Sequence, residues 1–290
     1  MENYQFLVEC GCEIALDCKS LSHFGSGGNM RVVCYPLSVD SLAECVRALR
    51  LRKEKFVVVG NGTNILFPDG GYDGVAICVR YLCGKRLVGE SLIVECGASL
   101  PSMCALAEKN SLTGVEGLAE IPASFGGAVA RNAGAFGYQI CDCLEFVDIF
   151  DGEKKRVEKS ELKFCYHKSD IPPEWVILGG KLSLQKGNRE EIVAKTEKCR
   201  QRRALTQPHA LTLGSVFSRV GDVSAGFYID KVGLKGAQIG NVRVSPVHAN
   251  FFENLGGAKT NEFFALGKLV AQEVDKQLGI ELEYEVEFVE

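Results

Sequence analysis

Two hydrophobic periods organise this chain. Leu42, Cys45, Val46 and Leu49 stand at i, i+3, i+4 and i+7, one face of a helix that Ser38 is placed to cap. Short apolar runs at 31–35 and 56–59 flank it and read as strands, giving the strand, helix, strand order of an α/β unit. Runs at 75–79, 91–96, 145–150 and 176–178 read as further strands, and a helix opened by Pro101 ends near Asn110. Residues 189–203 form a charged helix connecting two domains, where Arg200, Arg202 and Arg203 make either a solvated face or a phosphate clamp. A short helix begins after Ser224 and stops at Gly233, and strands follow at 243–245 and 249–252. Phe263, Leu266, Val270 and Val274 mark the buried face of a helix over 260–278, with Gly279 as its stop. The last stretch, 280–288, alternates, with Glu281, Glu283, Glu285 and Glu287 on one side.

Composition narrows the partners. With 290 residues, 46% hydrophobic and 24% charged, the chain can bury a full core in two domains or one large one. A net charge of -4 gives no global basic field, so neither nucleic acid nor an anionic membrane is expected. Residues 1–5 lack a basic stretch followed by an apolar run, and no apolar segment approaches the ~20 residues that span a bilayer, so the expected place is the cytoplasm. The 13 cysteines contain no Cys-x-x-Cys; the close pairs Cys10/Cys12 and Cys141/Cys143 have no second pair or histidine at zinc spacing. Cys34, Cys45, Cys78, Cys96 and Cys104 lie in apolar runs and read as reduced core residues, so no metal is expected.

Three glycine-rich stretches carry candidate chemistry. Gly60-Asn61-Gly62-Thr63-Asn64 follows a strand but continues into Ile65-Leu66-Phe67 and a Pro68-Asp69-Gly70-Gly71 turn rather than a helix, which excludes a Rossmann loop. It is either a β-turn or a nest of backbone amides, with the Thr63 hydroxyl and Asn64 amide, around a pyrophosphate. Glycines at 114, 117, 126, 127, 134 and 137 do not suit a regular helix or strand interior, where each costs ~0.5–1 kcal/mol relative to alanine. They form a long structural loop or, the better reading in a compact domain, backbone wrapped against a flat or phosphorylated ligand. Gly214-Ser215-Val216-Phe217 is by itself most simply a turn, and becomes a candidate site for the Ser215 hydroxyl only beside the other two stretches.

Together these residues resemble the UDP-N-acetylenolpyruvoylglucosamine reductase family in its shorter, type II form. Gly60-Asn61-Gly62-Thr63-Asn64-Ile65-Leu66 resembles its Gly-x-Gly-Ser-Asn-hydrophobic-Leu loop, and residues 117–137 resemble its Ile-Pro-Gly-x-x-Gly-Gly-Ala-Val-x-x-Asn-Ala-Gly-Ala-Tyr-Gly segment, with Ala123 in place of a glycine. Gly214-Ser215-Val216-Phe217, Gly233-Leu234-Lys235-Gly236, Val244-Ser245-x-x-His248-Ala249-Asn250-Phe251 and Leu282-Glu283-Tyr284-Glu285-Val286 complete the match.

The resemblance implies an α+β or α/β chain: an FAD-binding domain of the vanillyl-alcohol-oxidase (PCMH) type over 1–187, in subdomains of about 1–70 and 71–187, and an α/β substrate-binding domain over 188–290 whose last strand returns to the FAD region. By the same resemblance, non-covalent FAD is expected to take hydride from NADPH and deliver it to UDP-N-acetylglucosamine enolpyruvate, giving UDP-N-acetylmuramate for peptidoglycan, and the enzyme is expected to be a monomer. By resemblance Gly60, Asn61, Gly62, Thr63, Asn64, Ile121, Pro122, Ser124, Gly126, Gly127, Ala128, Asn132, Gly134, Ala135 and Gly137 hold FAD. Tyr166, Arg219, Gln238, His248 and Asn250 hold substrate. Ser215 donates a proton and Glu285 orients or protonates the substrate carboxylate. The family's catalytic arginine in Tyr-Arg-x-Ser is replaced here in Tyr166-His167-Lys168-Ser169, leaving His167 as the expected cation and Lys168 as its rival. The alternatives are another FAD-dependent oxidoreductase of the superfamily or a non-catalytic nucleotide-sugar binding protein.

Overall fold

The long antiparallel sheet of the molecule owes its packing to two glycines. In the computed structural model, which describes residues 2–290, five strands lie in the order Lys154–Glu158, Leu144–Phe150, Val176–Ser183, Ser91–Glu95, Lys85–Val88. A Cβ on Gly179 would stand 2.5 Å from the Val94 carbonyl oxygen, and one on Gly180 would stand 2.6 Å from that of Phe146 and 2.9 Å from the Phe125 ring. Phe125, fully buried, therefore seats against bare backbone.

The chain packs as two compact units. The first takes the N-terminal residues through Ala15, Val32–Asn61 and Gly74–Arg202; the second takes Leu16–Arg31, Gly62–Asp73 and Arg203–Glu290. The second unit thus gathers two early segments that a single boundary near 187 leaves in the first part. A second sheet orders Cys12–Cys18, Met30–Pro36, Tyr72–Cys78 and Phe56–Val59, with Phe56–Val59 parallel to Tyr72–Cys78. Helix Val39–Leu51, capped by the Ser38 hydroxyl, buries Leu42, Cys45, Val46 and Leu49 on the expected face.

The second unit centres on helix Thr260–Leu278, which buries Phe263, Leu266, Val270 and Val274 and stops at Gly279 with φ +66°. Its first turn is capped from far along the chain: both Asp69 carboxylate oxygens accept, from the Thr260 and Asn261 amides, at 2.8 and 2.9 Å. A carboxylate there also meets the positive end of the helix dipole. The three-stranded sheet Gln238–Ile239, Val242–Val244, Phe252–Asn254 lies in the same unit.

Three local expectations change. Gly126 and Gly127 lie inside a helix, Phe125–Ala130, which Ser124 caps, because the first-turn amides of Phe125 and Gly126 find the carbonyls of Ala98 and Cys96 at 2.7 and 2.8 Å. Residues 249–251 form a turn rather than strand, closed by the Phe251 amide on the His248 carbonyl, 2.9 Å. The terminal alternation breaks after Glu283, where Tyr284 is exposed and Glu285 half-buried, and its ladder reduces to Glu287–Phe288, parallel to Ile65–Leu66, and one bridge between Tyr284 and Phe217. Among the described residues no helix is long and apolar enough to cross a membrane.

Candidate active site

The first glycine loop is shaped by two close approaches. A Cβ on Gly60 would stand 2.0 Å from the Ser124 hydroxyl, and Asn61 donates its side-chain amide to the Pro122 carbonyl at 3.0 Å, so this end of the loop is keyed to the 121–124 segment. Gly62 has φ +68°, its carbonyl accepts the His23 amide at 2.9 Å, and a Cβ there would stand 1.9 Å from the Leu21 carbonyl oxygen. Among the described residues the backbone amides of Asn61, Gly62, Thr63 and Asn64 donate to no protein acceptor. Successive unpaired amides with no side-chain bulk at Gly62 fit the phosphate oxygens of a dinucleotide. The Asn64 side chain is otherwise engaged, donating to the Glu285 carbonyl at 3.1 Å.

In the second stretch the helix Phe125–Ala130 offers fewer free amides than the glycines promise. Its first turn bonds Ala98, Cys96 and, from Gly127, the Ser124 hydroxyl at 3.4 Å. Gly126 is instead a packing glycine, whose Cβ would meet that of Cys96 at 3.2 Å. Pro122, Gly127 and Gly137 remain exposed, and Ile121, Gly134 and Ala135 are half-buried. Ala128 belongs to the core.

Asn132, fully buried with φ +43°, is a structural hub. Its amide donates to Gln139 Oε1 and to the Cys165 carbonyl, both at 2.8 Å, while its oxygen accepts from the Cys141 amide at 3.3 Å. Through Cys165 it holds a hairpin, Phe164–Cys165 against Lys168–Ser169, which the Ser169 hydroxyl ties again to the Ala130 carbonyl at 2.7 Å. Tyr166 and His167 form the hairpin's tip, their rings stacked 3.9 Å apart, with His167 at φ +52°. Tyr166 and Lys168 are exposed and His167 is half-buried. The glycine-rich backbone and the aromatic tip thus form one connected piece of the first unit.

Ser215 and Glu285 come together in the second unit. Gly214, at φ +74°, turns the chain, and Val216 then donates to the Asn250 carbonyl at 2.8 Å. The Val216 carbonyl accepts the Glu285 amide at 2.8 Å, and Ser218 donates to the Glu283 carbonyl at 2.8 Å, so Ser215 sits one residue from the ladder rung that carries Glu285. Phe217 and Tyr284 pack alongside with ring centroids 4.9 Å apart. Glu285 is half-buried, whereas Glu281, Glu283 and Glu287 are exposed. The terminal alternation therefore carries one inward carboxylate among four.

Asn250 is the clamp of this ladder, a role its sequence context does not reveal. At 2% exposure, it accepts from the Phe217 amide at 3.0 Å and donates to the Phe217 carbonyl at 2.8 Å. Asn250→Ala leaves both groups unpaired in the interior and is expected to cost about 2–4 kcal/mol, read by urea unfolding. Of the other residues assigned to substrate, Arg219 is exposed, and Gln238 is exposed with its amide on the Gly240 carbonyl at 2.7 Å.

His248 supports the clamp, its Nδ1 accepting the Asn250 amide at 3.2 Å. Burial, and then the charge of Lys235, holds its pKa below the ordinary 6.5. A histidine kept neutral by the fold contributes stability that is full above 6.5 and is lost as pH falls from there through the lowered folded value. Acidification across that window is expected to lower the urea midpoint of the native protein more steeply than that of His248→Gln, which has no imidazole to protonate.

Comparison with known proteins matches these two halves. Residues 30–158 match the model of an FAD binding domain, and residues 207–289 match that of the UDP-N-acetylenolpyruvoylglucosamine reductase C-terminal domain. The UDP-N-acetylenolpyruvoylglucosamine reductase of Pseudothermotoga lettingae is 39% identical, over 95% of this chain and 98% of its own length. That of Caldanaerobacter subterraneus is 36% identical over 93% and 91%. The crystal structure of UDP-N-acetylenolpyruvylglucosamine reductase from Thermus caldophilus superposes with a TM-score of 0.83 at 32% identity, covering 96% of this chain and 99% of that one. Phl p 4.0202, a glucose dehydrogenase, shares the fold alone, with a TM-score of 0.50 at 14% identity over 65% of this chain and 45% of its own. The FAD-binding half has the vanillyl-alcohol-oxidase fold.

Proposed function

The chain belongs to the UDP-N-acetylenolpyruvoylglucosamine reductase family, and from that premise we propose which of its residues carry the reaction. It is an FAD-dependent oxidoreductase that uses NADPH to reduce UDP-N-acetylglucosamine enolpyruvate to UDP-N-acetylmuramate in peptidoglycan synthesis. Bound FAD supplies the hydride that reaches the β-carbon of the enolpyruvyl group.

The amides of residues 61–64 bind the cofactor's pyrophosphate, and the 121–137 segment lies along the rest of it. Hydride addition leaves negative charge spread over the adjacent carbon and the carboxylate. Ser215 gives its hydroxyl proton to that carbon and recovers it from solvent. Glu285 bonds the carboxylate, and His167 stands where the family's arginine supplies the opposite charge. Tyr166, Arg219 and Gln238 contact the diphosphate sugar. The enzyme acts as a monomer in the cytoplasm.

The observation that supports this assignment is the rung joining Glu285 to Val216, which brings the backbone of the candidate acid next to that of the candidate proton donor. Glu285→Gln is expected to lower product formation about 10²-fold or more while NADPH still reduces the flavin at the native rate. An unchanged turnover removes Glu285 from the chemistry. Likewise His167→Arg is expected to keep or raise turnover and His167→Ala to lower it about tenfold, by the loss of one charge-assisted contact. If His167→Ala is silent and Lys168→Ala is not, Lys168 is the cation.

A further inference from the structure

Three of the 13 cysteines converge at one point in the core of the first unit. Cys12 lies on strand Cys12–Cys18, Cys34 on the neighbouring strand Met30–Pro36, and Cys45 on helix Val39–Leu51. Their sulfurs all lie within 4.8 Å of one another, and those of Cys34 and Cys45 are 3.5 Å apart. Exposures are 4%, 0% and 0%. A sulfur bonded to zinc at about 2.3 Å stands about 3.8–4.0 Å from its fellow ligands in tetrahedral or trigonal geometry, which falls inside the observed span.

A cation bound between the three sulfurs would displace their protons. Cys10 precedes Cys12 across Gly11, which turns the chain at φ +80°. It is half-buried.

We propose that Cys12, Cys34 and Cys45 form a binding site for a soft, thiophilic closed-shell cation. A divalent ion takes the three thiolates, releases up to three protons to solvent and leaves a complex of net charge -1, with no change of oxidation state. The ion would join two strands and the helix that covers them, well away in sequence from every glycine stretch assigned to FAD.

The test uses the flavin-loaded enzyme, reduced with a phosphine and given one equivalent of cadmium or zinc. The expected result is stoichiometric uptake, a raised melting temperature, and an X-ray absorption spectrum with at least three sulfur neighbours on the ion. Cys34→Ala and Cys45→Ala should each abolish the melting shift and drop the sulfur count, while Cys83→Ala and Cys165→Ala, which remove exposed thiols, should not. If either core variant fails to fold, the sulfur count of the native protein decides. No stoichiometric uptake, fewer than three sulfurs, or a melting shift that survives Cys34→Ala overturns the proposal.

Discussion

Replacing Ser215 by alanine is expected to leave reduction of the bound flavin by NADPH untouched while slowing its reoxidation by UDP-N-acetylglucosamine enolpyruvate by about 10²–10⁴-fold, the range lost with a positioned general acid. The split follows from where Ser215 lies. It is half-buried between Gly214 and a ladder fixed at Val216 by the Asn250 carbonyl and the Glu285 amide, none of which needs the serine side chain. Alanine therefore keeps the backbone and removes only the hydroxyl, so folding should be unchanged within about 0.5 kcal/mol. Stopped-flow absorbance separates the two half-reactions. Equal slowing of both would mean that the substitution disturbed the fold, and slowing of neither would assign the proton to another group. Serine restored as cysteine should recover little, because the longer sulfur bonds displace the proton from its path.

The second large effect is expected at Gly62. Alanine there must accept a left-handed backbone, at a cost of about 1–2 kcal/mol, and its Cβ meets the Leu21 carbonyl oxygen at 1.9 Å, so backbone has to move. We expect Gly62→Ala to lose about 3 kcal/mol or more of stability, the size of other strained-backbone substitutions. FAD affinity should fall at least about tenfold as the unpaired amides of residues 61–64 lose their alignment, a loss of one good hydrogen bond or more. Gly70→Ala is the control, since nothing lies within 4 Å of its Cβ and its φ is not in the left-handed region. Titration of the apoprotein with FAD and thermal unfolding of both variants read the contrast. A Gly62→Ala protein that behaves like Gly70→Ala removes the first loop from cofactor binding.

The sequence reading succeeds where a feature is local and fails where distant contacts decide. Helix Thr260–Leu278 is legible because Phe263, Leu266, Val270, Val274 and Gly279 repeat at helical spacing, but its capping residue, Asp69, is invisible to any window of the chain. Helix Phe125–Ala130 is missed because two adjacent glycines argue against a helix. Tertiary contact reverses that: Gly126 lies against Cys96, Gly180 makes room for Phe125, and the Ala98 and Cys96 carbonyls take the first-turn amides.

Site residues divide in the same way. The conjunction of Ser215 with Glu285 is implied by family resemblance and joined here by the Val216 rung. Asn250 and Asn132 read as ligand contacts, yet each is buried with its amide engaged by protein groups. An asparagine that clamps a loop and one that grips a ligand look alike until the hydrogen-bond partners are known. The discontinuous second unit is likewise hidden, because residues 16–31 and 62–73 carry nothing in their composition that assigns them to 203–290. In the cysteines, the apolar setting of Cys34 and Cys45 is plain from sequence, whereas their convergence on Cys12 depends on the pairing of two strands and the packing of a helix.

The most direct test of the whole scheme is a single anaerobic turnover. The FAD-loaded protein is bleached with one equivalent of NADPH and mixed with UDP-N-acetylglucosamine enolpyruvate. Return of the yellow absorbance together with one equivalent of UDP-N-acetylmuramate is the expected result; flavin that stays reduced in the presence of that substrate contradicts it.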